Sequence, residues 1–294
     1  MSSFRIWLEA MRPKTLPAAF VPVALAGSLA FADGFFSWLP AVICLFFALL
    51  MQIGTNFAND YLDGIRGTDT KYRLGPRRAV ATGLIDPGTM KHAAIVTLAV
   101  GFFVGLSLIP LGGWWLLPIG ILSVACAWLY TGGPYPLAYN GLGDVFVILF
   151  FGLVAVGCSY YVQTKTISFD ALLLGCGCGA LVNNLLVVNN YRDIEEDRAA
   201  SKRTLVVLLG RPFARVQYLV SVLIAGGVVL YFWISDYGSW TLLALFPVAR
   251  GIVLWRSLGA VENAEDFLEM LKNSAKTVLT YGILFSTGLV VSSF

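Results

Sequence analysis

The sequence predicts an all-α protein of the polytopic membrane class, in which a bundle of helices crosses the bilayer several times. Of its 294 residues, 58% are hydrophobic and 13% are charged, whereas a soluble domain carries about 25% charged residues. The charged residues are also unevenly placed, so that long stretches contain no Asp, Glu, Lys or Arg. This composition excludes soluble globular, disordered, collagen-like and disulfide-scaffold proteins.

The stretches without charged residues locate the membrane-spanning helices. A helix needs about 20 apolar residues to cross the hydrocarbon core of a bilayer. The longest stretch, 93–143, would form a single helix of roughly 76 Å, so it must cross twice, with a break at Gly112-Gly113. Each of the other stretches gives one span. The nine predicted helices are 16–32, 38–58, 92–111, 114–131, 143–163, 170–190, 214–234, 238–256 and 276–293.

The basic residues predict how the bundle is oriented. Nine spans place the two termini on opposite sides of the membrane. If the N-terminus is inside, 19 of the 20 Lys and Arg residues lie inside, and Lys165 alone lies outside. Because basic residues concentrate in cytoplasmic loops, the N-terminus is predicted to be cytoplasmic. We expect residues 1–294 to form one membrane-embedded domain whose polar chemistry takes place at the cytoplasmic face.

Two of the predicted helices end in similar polar sequences on the inner side. The second helix ends in Asn-Asp-Tyr-Leu-Asp at 59–63, and the sixth ends in Asn-Tyr-Arg-Asp at 190–193. Acids spaced three or four residues apart share one face of a helix, where their charges repel unless a cation lies between them. Carboxylates are also the ligands that Mg²⁺ prefers. The predicted Mg²⁺ ligands and catalytic residues are Asp60, Asp63, Asp193 and Asp197.

The residues around the two acidic clusters indicate the substrate. Mg²⁺ binds a few carboxylates together with substrate phosphates, and Lys71 and Lys202 supply cations that suit a diphosphate. Asn59 and Asn190 are candidate additional oxygen donors. A diphosphate site at the membrane surface implies a lipid diphosphate, whose tail lies between apolar helices. An allylic diphosphate ionises when its charge is neutralised, and a membrane-embedded chamber shields the carbocation from water.

At these acidic residues the chain resembles the UbiA superfamily of intramembrane aromatic prenyltransferases. The resemblance implies nine transmembrane helices, with Asp-rich motifs at the ends of helices 2 and 6. Residues 59–63 match the NDxxD core of the first motif, and Asp193 and Asp197 match the second. Where the family often has a third Asp, this chain has Gly67, and Asp69 is the candidate substitute.

Three further segments resemble the menaquinone branch of this superfamily, the 1,4-dihydroxy-2-naphthoate polyprenyltransferases. They are 12–17, 130–144 and 190–198. The resemblance implies Mg²⁺-dependent transfer of a polyprenyl group from its diphosphate to an aromatic acid, with loss of CO₂ and release of diphosphate. The product would be a demethylmenaquinone. It also implies an integral protein of the bacterial plasma membrane, with an active site that faces the cytoplasm and no nucleic acid or obligate protein partner.

Four other residues are candidate substrate-binding groups, each with an alternative structural role. Arg12 and Lys14 lie where the chain enters the bilayer, and either contact the acceptor carboxylate or anchor the chain to anionic lipid. Asp144 either orients a hydroxyl of the acceptor or caps a helix. Tyr130, like Tyr139, is either a cation-stabilising aromatic or an interfacial anchor.

Two alternative functions remain open from the sequence. An ion-coupled transporter also carries acids in or near its spans, but transporter sites usually lie near the membrane midplane, whereas the acids here lie at the inner ends. The second alternative keeps the superfamily and changes the acceptor to 4-hydroxybenzoate, homogentisate, haem or a chlorophyll precursor. The acceptor is therefore an implication of the resemblance and not of the residue pattern.

Overall fold

The computed structural model describes residues 2–68 and 77–294, and the regular secondary structure within these ranges is helical. Short 3₁₀ turns occur at Pro13–Thr15, Leu137–Tyr139 and Ser239–Ala244. The helices, in chain order, are α1 (Ser3–Met11), α2 (Pro17–Ala32), α3 (Trp38–Arg66), α4 (Pro87–Leu106), α5 (Ile109–Gly112), α6 (Leu116–Leu129), α7 (Gly143–Thr164), α8 (Phe169–Arg192), α9 (Ile194–Ala199), α10 (Leu205–Ile234), α11 (Leu245–Leu258) and α12 (Ala264–Val291).

Every predicted span overlaps a helix of the structure. Within the described residues, seven helical segments are long and apolar enough to cross a membrane. The number is eight if Ser3–Thr15 and Pro17–Ala32, which meet at a 50° bend, count as one span. Helix α6 is apolar but shorter, with 14 residues. The all-helical membrane architecture is confirmed, and the exact count of nine spans stays a prediction.

Two helices extend beyond the ends that hydropathy predicts. Helix α3 continues past residue 58 to Arg66 and ends at Gly67, whose φ of 74° is a conformation that glycine adopts without strain. Helix α12 begins at Ala264 instead of 276, and the side chain of Asn263 caps its first turn. The first acidic motif therefore lies on helix α3 itself and not in a loop after it.

Helix α8 forms the centre of the bundle. It packs against α2, α7, α10 and α12, and most of its length is buried. Its contact with α7 is unusually close, because a Cβ at Gly152 would lie 2.5 Å from the carbonyl oxygen of Gly175. Helix α7 has a π-helical stretch at Ile148–Val154, on the side of this contact. The close approach sets the start of α7 beside the middle of α8.

The two ends of the bundle carry different polar groups. We call the end that holds 59–63 and 190–197 the motif end. At the opposite end, the Tyr237 hydroxyl lies 3.3 Å from Asp33 Oδ1 and 3.1 Å from Asp170 Oδ2. Tyr160 donates a hydrogen bond of 2.5 Å to Asp33. These contacts link the ends of α2, α7, α8 and α10, and leave the acidic motifs to a separate region.

Candidate active site

A cavity of about 400 Å³ lies at the motif end of the bundle. Its walls come from the α1–α2 connection, the end of α3, the segment before α7 and the end of α8. The structure brings nine of the sequence-predicted site residues into these walls. They are Arg12, Lys14, Asn59, Asp63, Tyr130, Asp144, Asn190, Asp193 and Lys202.

Asn59 and Asp63 face the cavity from the same side of α3. They are four residues apart, which separates them by only about 40° around the helix axis. Oδ1 of Asn59 accepts a hydrogen bond of 2.8 Å from the Thr131 hydroxyl. Oδ1 of Asp63 accepts one of 2.7 Å from the Tyr139 hydroxyl. Both side chains are buried, so these bonds hold two oxygen-bearing groups in fixed orientations beside the cavity.

Asp60, a predicted Mg²⁺ ligand, has different partners from Asn59 and Asp63, and its metal role stays a prediction. Asp60 is 1% exposed, and its two carboxylate oxygens accept hydrogen bonds of 3.0 Å from the backbone N–H groups of Ala79 and Val80. It lies about 100° around the helix from Asn59, and it is not part of the cavity wall that the described residues form. Asp60 therefore holds the segment that begins at Arg77.

The second acidic motif lies where α8 ends and α9 begins. Arg192 donates two hydrogen bonds to the Asp193 carboxylate, of 2.6 Å and 2.8 Å. Lys202 lies with its Nζ 3.1 Å from Oδ1 of Asp197. Asn190 and Asp193 line the cavity directly, whereas Asp197 is joined to it through Lys202. Both acids are buried and each has a cationic partner, so the motif is charge-compensated in this structure.

Tyr139 connects the two acidic motifs. Its hydroxyl bonds to Asp63 of the first motif, and the Nζ of Lys202 lies 5.6 Å from its ring centroid. The guanidinium of Arg66 lies 5.2 Å from the same centroid. Burial, followed by the charge of Asp63, raises the pKa of Tyr139. The phenol therefore stays neutral near pH 7 and keeps the proton that it donates to Asp63.

The α1–α2 connection brings two basic residues to the cavity. Arg12 and Lys14 both line it. Asn56 on α3 holds this connection, because its Nδ2 donates to the Met11 carbonyl at 2.9 Å and contacts the Thr15 hydroxyl at 3.1 Å. Arg12 has φ 53° and ψ 67°, a left-handed conformation that costs a non-glycine residue about 1–2 kcal/mol. The hydrogen bonds from Asn56 help to offset that cost.

Other cations come from the segments that follow each motif. Arg77 and Arg78 line the cavity after the first motif, and Lys202 does so after the second. Asp69 and Lys71, which the sequence also predicted, lie outside the described residues. The cavity therefore combines buried acids with several cations, which is the charge distribution that a metal-bound diphosphate requires.

Asp144 has partners that sequence reasoning missed. Its Oδ1 accepts hydrogen bonds of 3.1 Å from Asn183 Nδ2 and 2.6 Å from Gln217 Nε2. Asn183 lies in an apolar run of α8 and is fully buried. An amide within a predicted span is costly to bury unless it is hydrogen-bonded, and this signal was available in the sequence. Asn56 and Thr131, which are also polar residues within predicted spans, were missed in the same way, and so was Arg192, which lies just after one.

A second cavity, of about 180 Å³ and mainly apolar walls, lies within the bundle beside the first. Residues of α2, α3, α4, α6 and α7 form its walls. Tyr130 lines both cavities, and its hydroxyl lies 3.1 Å from where a Cβ of Gly143 would be. The charged cavity and the apolar cavity therefore meet at Tyr130.

The oxygen donors of the charged cavity fit Mg²⁺ by their chemistry. Carboxylate and amide oxygens are hard ligands, and Mg²⁺ usually takes one or two carboxylates and completes its shell with water and substrate phosphates. Within 2–68 and 77–294, no three His, Cys, Asp or Glu side chains form a compact metal-binding group. The acids are instead held by Tyr139, Arg192 and Lys202. The donor set suits a metal that arrives with a phosphorylated ligand.

Comparison with known proteins identifies the family. Residues 20–270 match the model of the UbiA prenyltransferase family. The chain is 37% identical over 292 residues to the 1,4-dihydroxy-2-naphthoate octaprenyltransferase of Mycobacterium tuberculosis, with 98% of each chain covered. It is 35% identical over 305 residues to the protein of the same name from Escherichia coli, with 100% of this chain and 98% of that one covered.

A solved structure supports the fold. The structure of a UbiA homolog from Archaeoglobus fulgidus bound to GPP and Mg²⁺ superimposes with a TM-score of 0.65 at 15% identity. The match covers 96% of this chain and 99% of that one. The chain thus shares its helical architecture with that protein, and by its full-length similarity it belongs to the UbiA prenyltransferase family.

Proposed function

We propose that this protein transfers a polyprenyl group from a polyprenyl diphosphate to 1,4-dihydroxy-2-naphthoate, as an enzyme of menaquinone synthesis. The observation that carries the proposal is the meeting of a charged cavity and an apolar cavity at Tyr130. A polyprenyl diphosphate has the same division into an ionic head and a long apolar tail. The acceptor follows from the bacterial relatives of the same name, which match nearly the whole chain.

The acidic motifs are the proposed site of Mg²⁺. The residues assigned to it are Asn59, Asp63, Asp193 and Asp197. When bound, Mg²⁺ neutralises negative charge on the diphosphate and makes it a better leaving group. Asp60 is assigned a positioning role, because both of its oxygens already bond to backbone N–H groups.

The basic residues bind the phosphate oxygens in this proposal. Arg77, Arg78 and Lys202 line the charged cavity, and Lys71 joins them on the sequence pattern. Lys202 also pairs with Asp197, so its ammonium joins a proposed metal ligand to the wall of the charged cavity. Such charge-assisted contacts are stronger than neutral hydrogen bonds, and they stabilise the negative charge that develops on the leaving diphosphate.

The transfer step exchanges one bond to the prenyl group for another. The bond between the first prenyl carbon and the diphosphate oxygen breaks, and both electrons leave with the diphosphate. A ring carbon of the acceptor bonds to the prenyl carbon. The acceptor carboxylate departs as CO₂, and its bonding electrons return to the ring. The apolar walls of the cavity beside Tyr130 keep water from the allylic cation, and the Tyr130 ring contributes cation–π stabilisation.

The proposed topology has nine spans with a cytoplasmic N-terminus. Helix α6 counts as a span in this topology, and the charged cavity then faces the cytoplasm of a bacterial plasma membrane. Helix α12 packs against α2, which supports a single domain across 1–294. Cysteine accessibility tests the topology: a cysteine at Glu195 should react only after the membrane is permeabilised, and one at Lys165 should react in intact cells.

Purified protein in liposomes tests the function. The vesicles receive a labelled polyprenyl diphosphate, Mg²⁺ and, separately, 1,4-dihydroxy-2-naphthoate, 4-hydroxybenzoate and homogentisate, under anaerobic conditions. We expect labelled naphthoquinol and released CO₂ with the first acceptor. Product with a different acceptor would reassign the substrate within the family, and ion flux without transfer to any acceptor would overturn the proposal in favour of a transporter.

A further inference from the structure

Asp144 differs from the other acids of the charged cavity in its partners. It is buried at the first turn of α7 and lines the cavity. Its Oδ1 accepts hydrogen bonds from two neutral amides, those of Asn183 and Gln217. Among the described residues no Lys or Arg forms an ion pair with it, whereas Asp193 and Asp197 each pair with a cation.

The two amides come from different helices and fix the carboxylate in place. Asn183 lies on α8 and Gln217 lies on α10. Their hydrogen bonds, of 3.1 Å and 2.6 Å, converge on the same oxygen. Two donors on one oxygen restrict rotation of the carboxylate, so that Oδ2 has a defined direction. Within the described part of the chain, no side chain hydrogen-bonds to this second oxygen, and Asp144 lines the cavity.

The charge of Asp144 selects the kind of group that it can bind. A carboxylate repels the diphosphate and the carboxylate of the acceptor. It accepts a strong hydrogen bond from a hydroxyl group. The cations of the cavity lie elsewhere in its walls, at Arg12, Lys14 and Lys202 among others. An aromatic acceptor that bears both a hydroxyl and a carboxylate can, in a single orientation, place its hydroxyl at Asp144 and its carboxylate at these cations.

We propose that Oδ2 of Asp144 accepts a hydrogen bond from a ring hydroxyl of the aromatic acceptor, and that Asn183 and Gln217 are positioning residues for this contact. The proposal rests on the proposed function and extends it to acceptor recognition. The hydrogen bond draws the hydroxyl proton toward Asp144 and enriches the ring in electrons, which favours attack on the allylic cation. An acceptor without the hydroxyl would leave a buried carboxylate without its donor and would be rejected.

Equilibrium binding tests this contact without requiring turnover. The protein in nanodiscs is titrated anaerobically with 1,4-dihydroxy-2-naphthoate and its dimethyl ether, with 4-hydroxybenzoate and its methyl ether, and with a polyprenyl thiodiphosphate. The wild type should bind the dihydroxy acid about tenfold or more tightly than the ether. Asp144→Asn should remove this preference and leave the Kd of the thiodiphosphate within about twofold. The proposal is overturned if the wild-type protein binds neither aromatic acid more tightly than the corresponding ether.

Matched amide variants separate positioning from general damage to the fold. Gln217→Leu and Asn183→Leu should each weaken binding of the dihydroxy acid about threefold to tenfold, and raise the acceptor KM more than they lower kcat. Asn184→Leu is the control, because Asn184 is the next residue on α8 and its amide bonds instead to the Tyr218 carbonyl at 3.3 Å. Equal effects of the Asn183 and Asn184 variants, or equal losses for acceptor and thiodiphosphate, would overturn the proposal.

The binding arm also separates the two proposals. If the wild type transfers no prenyl group to 1,4-dihydroxy-2-naphthoate, the proposed function fails. The binding experiment still tests the role of Asp144 in that case. The role is supported if Asp144→Asn no longer binds the hydroxy acid more tightly than its ether. If transfer occurs but Asp144→Asn retains the preference, the function stands and the inference on Asp144 fails.

Discussion

The Tyr139 hydroxyl donates a hydrogen bond of 2.7 Å to Oδ1 of Asp63. The Nζ of Lys202, which pairs with Asp197, lies 5.6 Å from the centroid of the Tyr139 ring. One aromatic residue therefore contacts the acid of the first motif and the cation of the second. Because the motifs lie on different helices, Tyr139 links them across the charged cavity.

Tyr139→Phe removes the hydroxyl and keeps the ring. We expect the KM for polyprenyl diphosphate to rise about threefold to tenfold, because Asp63 loses a hydrogen bond that orients it. Tyr139→Leu should have a larger effect, since it also removes the cation–π contact with Lys202. Tyr135→Phe is the control, because Tyr135 is 60% exposed. Equal kinetics of the wild type and Tyr139→Leu would contradict the bridging role.

The raised pKa of Tyr139 gives a pH dependence with a definite sign. Burial, and then the charge of Asp63, favour the neutral phenol, so this group stabilises the fold fully below its unfolded pKa of about 10. That contribution is lost only as the pH rises through the higher folded value. The tyrosinate absorbance of the wild type minus that of Tyr139→Phe should show no ionisation up to pH 10. A titration step below pH 10 in this difference would contradict the assignment.

Replacing Asp60 or Asp63 by Asn should have different effects on turnover and stability. Asp63→Asn removes a proposed metal ligand, so we expect kcat to fall at least about 100-fold with little change in thermal stability. Asp60→Asn weakens the hydrogen bonds that the Asp60 side chain accepts from the N–H groups of Ala79 and Val80. It should cost about 1–3 kcal/mol of stability and raise the KM for polyprenyl diphosphate, because Arg77 loses its support.

Thermal unfolding and steady-state kinetics on both variants measure this difference. A second comparison uses Asp60→Ala, which removes both hydrogen-bonding oxygens of the side chain and should destabilise the protein further. If Asp60→Asn abolishes turnover while its unfolding temperature is unchanged, Asp60 belongs to the catalytic site after all, as its spacing from Asp63 predicted.

Metal removal tests the assignment of the acidic motifs. EDTA should abolish transfer, and added Mg²⁺ should restore it, because the diphosphate leaving group needs its charge neutralised. Chelation should also weaken binding of a polyprenyl thiodiphosphate, since the metal and phosphate oxygens share ligands. Binding of the aromatic acceptor should change little. Transfer that persists in EDTA would contradict a metal role for Asp63 and Asp193.

The sequence predicted the helices well and their charged ends poorly. Apolar stretches mark where a helix lies in lipid, and every predicted span overlaps a helix. Hydropathy does not mark where a helix continues beyond the lipid. Helix α3 therefore runs to Arg66 and α12 begins at Ala264, both outside the predicted bounds. The first motif therefore lies within helix α3, as the interpretation of its acid spacing assumed.

That helical geometry explains which part of the site was predictable. The shared Asn and Asp pattern predicted two motifs at one end, and the structure brings most of their residues to one cavity. Spacing from Asp63 alone does not distinguish Asn59, four residues before it, from Asp60, three residues before it. Tertiary contacts distinguish them, because the Asp60 carboxylate accepts hydrogen bonds from the N–H groups of Ala79 and Val80, whereas Asn59 lines the cavity. Gln217, an amide within the predicted span 214–234, was marked as needing a partner, but its partner Asp144 is 73 residues away in the chain and could not be identified from the sequence.

Tyr237 offers a prediction for the end of the bundle opposite the motif end. Its hydroxyl lies within hydrogen-bond distance of both Asp33 and Asp170, but a single proton serves only one of them at a time. Tyr237→Phe should therefore remove about one hydrogen bond and lower stability by about 1 kcal/mol, as expected when a partly buried hydrogen bond is lost. Asp170 and Asp193 lie roughly 35 Å apart along α8.

That separation makes Tyr237→Phe a test of how independent the two ends are. The unfolding temperature should fall, while both KM values and kcat stay within about twofold of the wild type, because the far-end tyrosine touches neither proposed substrate. Asp236→Asn, an exchange at the neighbouring residue, provides a control of similar position. A large loss of kcat at unchanged stability in Tyr237→Phe would show that α8 transmits changes from one end of the bundle to the other, and would contradict the assignment of these tyrosines to structural support.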